Sequence, residues 1–360
     1  MKTKILSSIL VFSLALLCLA GCGQSKKENP ANTAKENIEQ EAGANNEEAG
    51  NEPKTENTTV KIGFVSVDGS DNMADTVGYA RDHGYIDEEL QKIGVTAEWV
   101  SMVGAGPAIN EALASKNLDL GYLGDIPAII GKANGIDTKV IAVGSYSQAD
   151  ILVRPDSDIK TITDLKGKKV ATGKGQYMHA ILASALKDEG LTTNDIEFVN
   201  MTAQDAVSAF LSKSVDSICI GKEAEAKLVL GGEAKVIGGT QVNPGYYSIS
   251  LLEARTEFAE ENPEIMKALI RAVLRAKAEY EADNSLSKKQ WVNAGYSEEG
   301  YEFLYPNNDY IASVEITDEH KQKTSETIQF LKDNELINQD VDIDLEKWFD
   351  SGYYDEVVKE

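Results

Sequence analysis

The chain is poor in the residues that carry covalent and metal chemistry. It has three cysteines, Cys18, Cys22 and Cys219, and two of them fall within the first 22 positions. That distribution gives no basis for a disulfide framework or a cysteine-based zinc site. The three histidines, His83, His179 and His320, do not stand at metal-ligand spacing from one another. Positive charge is scarce as well: 35 Lys and Arg face 59 Asp and Glu, a formal net charge of -24. So acidic a chain is unsuited to sequence-independent binding of nucleic-acid phosphates, which needs clustered cations. No segment repeats with a solenoid period. No Gly-Lys-Ser/Thr closes a P-loop, no Gly-x-Ser-x-Gly elbow occurs, and Met178 stands where the third glycine of a dinucleotide fingerprint would follow Gly173 and Gly175. Binding without catalysis, with neither cofactor nor metal, is the expectation.

What the chain does have begins at its start. Lys2 and Lys4 precede Ile5 to Ala20, a nearly unbroken apolar run, and Leu19-Ala20-Gly21-Cys22 follows. The run has signal-peptide length and is short for a membrane span. Small residues leading directly into Cys22 resemble the lipobox of bacterial lipoproteins, which implies cleavage before Cys22 and lipidation of its thiol, palmitate being the expected acyl chain. Each buried methylene contributes about 0.8 kcal/mol, so two or more chains anchor stably where one does not. Gly23 to Thr59 then lacks aromatics and is dense in Asn, Glu, Lys, Gly and Pro. Such a segment cannot bury enough apolar area to offset ordering, and as a flexible tether it reaches roughly 35 Å.

From Val60 onward strand and helix patterns alternate. Val60–Val65 reads as a strand, Met73–Ile93 as one helical stretch, Val95–Val100 as a strand, and Pro107 suits the first position of the next helix. Strands around Leu118–Tyr122 and Lys139–Gly144 bracket a helix entered through Gly124-Asp125-Ile126-Pro127. A second block repeats the alternation with strands Lys169–Thr172, Ile196–Val199 and Val215–Ile220 and helices Gln176–Asp188 and Ala203–Ser212. After Asn262-Pro263 the chain turns helical, with Asn262 as the expected cap of a long amphipathic helix. Alternation of this kind predicts an α/β protein built on parallel sheets covered on both faces. About 300 residues beyond the tether are too many for one core, so two lobes are expected.

Three turns share one design, a glycine loop leaving a strand and feeding a helix N-terminus: Gly104-Ala105-Gly106, Gly121 to Asp125, and Gly173 to Tyr177. Glycine permits close backbone approach, and free amides with the helix dipole attract negative charge. Such loops lie at the carboxyl ends of strands, where α/β sheets bind ligands.

The order and wording of these motifs resemble the solute-binding proteins of ABC importers for aliphatic sulfonates, taurine and nitrate. The resemblance runs from about Val60 to Ala282. It rests on Gly106-Pro107-x-x-x-Glu111-Ala112-Leu113, Leu118 to Pro127, Ile162 to Ala171, Lys174 to His179, and Glu257 to Glu264. It implies a two-lobed periplasmic-binding-protein type II fold with parallel-sheet-containing lobes and a helical C-terminal region. Expected boundaries are 1–21 for the signal, 22–59 for the lipidated tether, 60–148 for the first part of lobe 1, 149–245 for lobe 2, and 246–360 for the return to lobe 1. The implied protein is a monomeric, non-enzymatic receptor. It would be held by lipid on the extracytoplasmic face of a cell membrane, Gram-positive by implication, and would deliver a small anionic organic solute to an ABC permease.

Carried over residue by residue, the resemblance places Ser66, Asp68, Gly106, Gly124 and Asp125 on one lobe and Gly175, Gln176 and Tyr177 on the other. Two uses stay open for Asp125, as ligand contact or helix cap, and Ser66 and Asp68 also suit a turn. Where many relatives have an aromatic, an acid and a proline, this chain has Ile220-Gly221-Lys222-Glu223. Lys222 is then either a desolvated cation for an anionic head or a surface lysine at a helix start. Trp99 and Tyr122 suit the core, and the tyrosines from Tyr296 to Tyr310 suit either core or cleft mouth. Hinges are expected at Ser145–Ile151 and Asn243–Ser250. A receptor for a thiamine-precursor pyrimidine is the alternative, with a surface enzyme or a sensory domain on the same fold behind it.

Overall fold

The computed structural model describes residues 58–66, 71–103, 105–307, 310 and 312–360. The signal, Cys22, the tether up to residue 57, and Asp68 lie outside the described residues. The first strand, β1 (Thr58–Val65), begins two residues before the expected start. Two short helices follow, α1 (Thr76–Asp82) and α2 (Tyr85–Gln91), where one was expected. Gly84 separates them, because its left-handed φ of 75° cannot continue a right-handed helix. Next come β2 (Val95–Met102), α3 (Ala105–Ala114), β3 (Leu120–Gly124), α4 (Asp125–Ala133) and β4 (Thr138–Ser147). Pro107 is thus the third residue of α3 and not the first. The second sheet is built from β5 (Ala149–Val153), β6 (Lys169–Thr172), α5 (Tyr177–Asp188), β7 (Glu197–Asn200), α6 (Ala203–Leu211), β8 (Ser217–Gly221), α7 (Lys222–Leu230) and β9 (Lys235–Gly239). The chain then returns through β10 (Ser248–Arg255) into α8 (Thr256–Glu261), α9 (Pro263–Ala282), α10 (Ser285–Asn293), α11 (Glu298–Leu304) and α12 (Asp318–Asp333).

The strands form two five-stranded sheets, ordered β2-β1-β3-β10-β4 and β7-β6-β8-β5-β9. Neither is purely parallel as expected: β10 runs antiparallel between β3 and β4, and β5 antiparallel between β8 and β9. Each is the strand by which the chain enters a sheet from the other one, so its direction reverses. Helices cover both faces of each sheet. On the first sheet, α1, α2 and α9 pack on one face and α3, α4 and α12 on the other. On the second, α5 covers one face while α6 and α7 cover the opposite one.

The long helix α9 shows the sequence logic. Ile265, Leu269, Val273, Ala276 and Tyr280 recur at three- and four-residue spacing and are all buried. Each large aliphatic side chain so buried contributes about 1.5–3 kcal/mol. Pro263 opens the helix, while the Asn262 amide donates to the Phe258 carbonyl and makes no side-chain cap.

The two sheets are joined at two places, between β4 and β5 and between β9 and β10. The crossings are bonded to each other. Ala149 N donates to Thr240 Oγ1 at 3.2 Å, Thr240 N to the Ala149 carbonyl at 3.0 Å, and Gln241 N to Asp150 Oδ1 at 2.9 Å. Because β4 runs parallel to β3 and leads directly into β5, which is antiparallel to β8, the carboxyl ends of β1 and β3 lie at the same edge as those of β6 and β8.

Candidate functional site

Strand order fixes where a ligand would enter. In each sheet the first βα unit winds to one side and the next to the other, leaving a crevice between β1 and β3 and another between β6 and β8. Open α/β sheets bind ligands at such switch points. Here the two crevices meet across the paired crossings. Helices α4, α5 and α7 all begin at this edge, and none has a side-chain cap: their N-caps are Gly124, Gln176 and Gly221. Other helices carry side-chain caps, α1 from Asp75, α6 from Thr202, α11 from Ser297 and α12 from Thr317, and of these α1 and α6 begin at the same edge. Uncapped N-termini offer free amide donors and the positive end of the dipole.

Ser66 is buried at the end of β1, its amide on the Met102 carbonyl at 3.3 Å. Gly106 serves helix packing, since a Cβ there would come within 2.2 Å of Pro127 Cβ on α4. Asp125 is buried at the first position of α4. Its carboxylate accepts from Ile126 N at 2.8 Å, from Thr327 Oγ1 at 3.2 Å and from the Ser248 hydroxyl. It therefore ties α4 to β10 and α12, and burial raises its pKa from the usual carboxylate value. Gly124 sits ahead of it in extended conformation, with Pro127 Cδ 3.8 Å from the place of a Cβ.

On the second sheet, Gly175 needs its φ of 73°, and its amide donates to His179 Nδ1 at 3.2 Å. Buried between Phe198 and Phe330, His179 has its pKa pushed down to about 4, chiefly by desolvation, so it is neutral at physiological pH. Gln176 is exposed and folds over Gly173, whose Cβ position lies 2.5 Å from Gln176 Oε1. Gly173, Lys174 and Gln176 with Asn200, Met201, Thr202 and Asp205 line a depression of about 600 Å³ at this rim. Tyr177 is half-buried, and its hydroxyl stands 2.4 Å from where a Gly221 Cβ would be. Only glycine lets the phenol reach into the β6/β8 crevice.

Lys222 takes neither of its two expected positions. It is buried, with Nζ 2.6 Å from Asp150 Oδ2 and 3.1 Å from Glu225 Oε2. Its charge is spent inside the second sheet and is not left over for an anionic head. Glu225 is fully buried beside Asp150, and desolvation followed by the Asp150 charge pushes its pKa up to about 8. Glu225 is therefore the member of this triad that keeps a proton at neutral pH. Glu223, one residue beyond Lys222, is solvent-accessible, accepts from its own backbone amide, and has its pKa raised by the surrounding protein.

Sequence reasoning missed Asp75. It caps α1 through Gly78 N at 2.9 Å and accepts from the Tyr122 hydroxyl at 2.6 Å and Ser145 Oγ at 3.3 Å. Burial raises its pKa. Half-buried Tyr305 and Tyr310 continue the wall, with ring centroids 5.7 Å apart, while Tyr301 is fully buried. Only the spacing of an acid before an apolar helical run marked Asp75, and many helix caps look the same. Arg81 is also engaged, on Asp82 at 2.7 Å and over the rings of Phe64 and Trp99.

Comparison with known proteins places this geometry. A family model described as NMT1/THI5 like matches residues 76–284. The chain is 34% identical over 216 residues to an Escherichia coli K12 protein named for binding aliphatic sulfonates, covering 59% of this chain and 65% of that protein. A Bacillus subtilis 168 protein of the same name is 29% identical over 199 residues, covering 55% and 59%. The chain thus spans less than two thirds of the length of these two relatives. The taurine-binding periplasmic protein of Escherichia coli K12 is 25% identical over 251 residues, covering 67% and 78%. Among solved structures, a periplasmic sulfonate-binding protein from Methylobacillus flagellatus KT superimposes with a TM-score of 0.73 at 26% identity, over 84% of this chain and 94% of that one. A desulfurization enzyme at 14% identity, TM-score 0.65, over 84% and 99%, shares the fold alone. The periplasmic-binding-protein fold is the architecture that these neighbours have in common.

Proposed function

The chain belongs to the NMT1/THI5-like family, and from that premise we propose that it is the extracytoplasmic solute receptor of an ABC importer, binding a small organic sulfonate between two lobes. One observation carries the reading: two switch-point crevices face each other across paired crossings, rimmed by three helix N-termini without side-chain caps. A sulfonate spreads one charge over three acceptor oxygens, which suits several amide donors better than one cation. Lys222 and Arg81 are already paired, so the anion is seated by amides and hydroxyls. The lobes are residues 60–148 with 246–360, and 149–245, and they close about the crossings. Ligand favours the closed state by its differential affinity for it.

Cys22 is the lipid attachment site in this reading, supported by Leu19-Ala20-Gly21-Cys22, and the tether keeps the body near its permease. Binding, not turnover, is supported by the side chains an enzyme would need. The Cys219 thiol is buried and donates to the Met178 carbonyl, and His179 is occupied by Gly175.

A thermal-unfolding screen of the full chain against alkanesulfonates, nitrate, carboxylates and a pyrimidine tests the proposal. At a hundred times its dissociation constant a sulfonate adds about 2.7 kcal/mol of stability. A shift produced only by the uncharged pyrimidine overturns the sulfonate reading in favour of the pyrimidine receptor.

A further inference from the structure

Helix α12 is fixed to the first sheet yet lies against the second. Its buried Leu331 belongs to the core of the first sheet, Thr327 Oγ1 donates to Asp125 on α4 at 3.2 Å, and His320 Nε2 stands 2.7 Å from the Tyr146 hydroxyl on β4. Its first two turns sit over the second crossing, where Lys323 Nζ donates to the Gly245 carbonyl at 3.2 Å and Glu319 accepts from the Tyr247 hydroxyl at 2.8 Å. Its far end reaches across to α5. The half-buried Phe330 ring stands edge-on to His179 with centroids 5.0 Å apart, and Phe198 lies 4.7 Å from the same imidazole. Leu336 then folds back from the end of the helix, its amide on the Leu331 carbonyl at 2.8 Å, because Glu335 takes a left-handed φ of 56°. That conformation is unfavourable for glutamate, and it sets the Leu336 methyl groups 3.7 Å from where a Gly175 Cβ would be.

This contact is unlike a core. Phe330 and Leu336 both stay half-buried, and a space of about 40 Å³ remains between α12, α4 and α5, lined by Asp125, Ile181, Ser184, Lys323, Thr327 and Phe330. Permanent interiors leave few voids larger than a water molecule, so an interface with such a gap is suited to part and re-form. What α12 touches is also the support of the glycine turn. His179 Nδ1 accepts from Gly175 N at 3.2 Å, and Gln176, the next residue, is the N-cap of α5. We propose that Phe330 and Leu336 are positioning residues for the solute: they close on His179 and Gly175 as the two lobes come together, and so hold the amide seat at the start of α5. They act through His179 and Gly175 and not on the solute itself. This rests on the receptor reading above and names the contact that completes its closure, whatever head group the solute carries. Seat and closure are then one event, which gives the solute its higher affinity for the closed form.

X-ray scattering of the ligand-free full chain, with titration calorimetry against propanesulfonate, tests this. Phe330→Ala and Leu336→Ala should each raise the radius of gyration above that of the wild type, because the closed form loses a contact. Phe330→Leu keeps an apolar body there and should scatter as the wild type does. The two alanine variants should bind propanesulfonate about tenfold more weakly, and Phe330→Leu within about threefold of the wild type. Static packing of α12 would instead lower the urea midpoint and leave the scattering of the folded chains identical, which overturns the proposal. Alanine variants that open but keep full affinity for propanesulfonate overturn it as well, since closure would then not act on the seat. If no chain binds propanesulfonate while scattering separates the alanine variants from the wild type, the sulfonate reading falls and the closing contact stands. Identical scattering without any binding overturns both.

Discussion

At Lys222 the ammonium is held between Asp150 and Glu225, and all three side chains are buried. Removing one member of such a group leaves uncompensated charge in a medium that solvates it poorly, which costs about 3–5 kcal/mol. Lys222→Met is therefore expected to lower the unfolding free energy by that amount in urea titration. Glu225→Gln should be nearly neutral at pH 7, because Glu225 already holds a proton there, its pKa being pushed up to about 8. A Lys222→Met protein with an unchanged urea midpoint and lost ligand affinity would instead put the ammonium on the solute. The sequence shows a lysine opening a helix but not that Asp150, 72 positions earlier, lies 2.6 Å away. Asp150 has a second task, since its other oxygen accepts from Gln241 N in the second crossing. The triad thus fixes both crossings to the first turn of α7.

Junctions between strand and helix show what can and cannot be read ahead of the structure. The glycine turns at Gly106, Gly124 and Gly175 were visible as such, their position at strand ends following from the alternation of patterns, whereas Gly221 stood out only as the residue before Lys222. Their reasons differ, and those reasons were not legible. Gly175 has a left-handed φ, Gly106 makes room for Pro127, and Gly221 makes room for the Tyr177 hydroxyl. The last two depend on partners 21 and 44 residues distant, which no local pattern encodes. The antiparallel β5 and β10 escaped notice for a similar reason, because a buried strand reads the same in either direction. Gly221→Ala tests the junction directly. Its φ of -69° suits alanine, so the backbone is unstrained. The new methyl would lie 2.4 Å from the Tyr177 oxygen and must drive the phenol out of the crevice. Overpacking of this kind costs about 1–3 kcal/mol, so the protein folds. Ligand affinity should nevertheless fall by at least about tenfold in calorimetry, since a group lining the cleft has moved. Retained affinity would mean that Tyr177 is core alone.

At the scale of the whole molecule, buried acids outnumber buried cations among the described residues, and this sets how stability responds to pH. Burial raises the pKa of Asp75 and Asp125, and it pushes Glu253 up to about 7 and Glu225 to about 8. For an acid with a raised folded pKa, the native state keeps a proton that the unfolded chain has already released. Stability is then fully present below the unfolded value, near 4.5 for glutamate, and is lost as pH rises through the folded value. For Glu253 the window is 4.5 to about 7, and for Glu225 it is 4.5 to about 8. Glu89 acts the other way, its pKa lowered against desolvation by Lys92 and Arg271, but it loses stability only as pH falls below its ordinary value. Neutral, buried His179 and His320 act the same way as Glu89, stability being lost as pH falls below their ordinary value of 6.5. Between pH 6.5 and 8 the two directions therefore do not compete, and a formal net charge of -24 adds self-repulsion as the acids ionise. The melting temperature should fall steadily as pH rises across that interval. Glu253→Gln keeps an acceptor for the Thr138 hydroxyl, now at 2.9 Å from the carboxylate, and removes the proton release. Combined with Glu225→Gln it should flatten the slope without lowering stability at pH 8. The measurement is calorimetry of both proteins at half-unit steps of pH, and equal slopes in the two would show that the acidic surface alone sets the response.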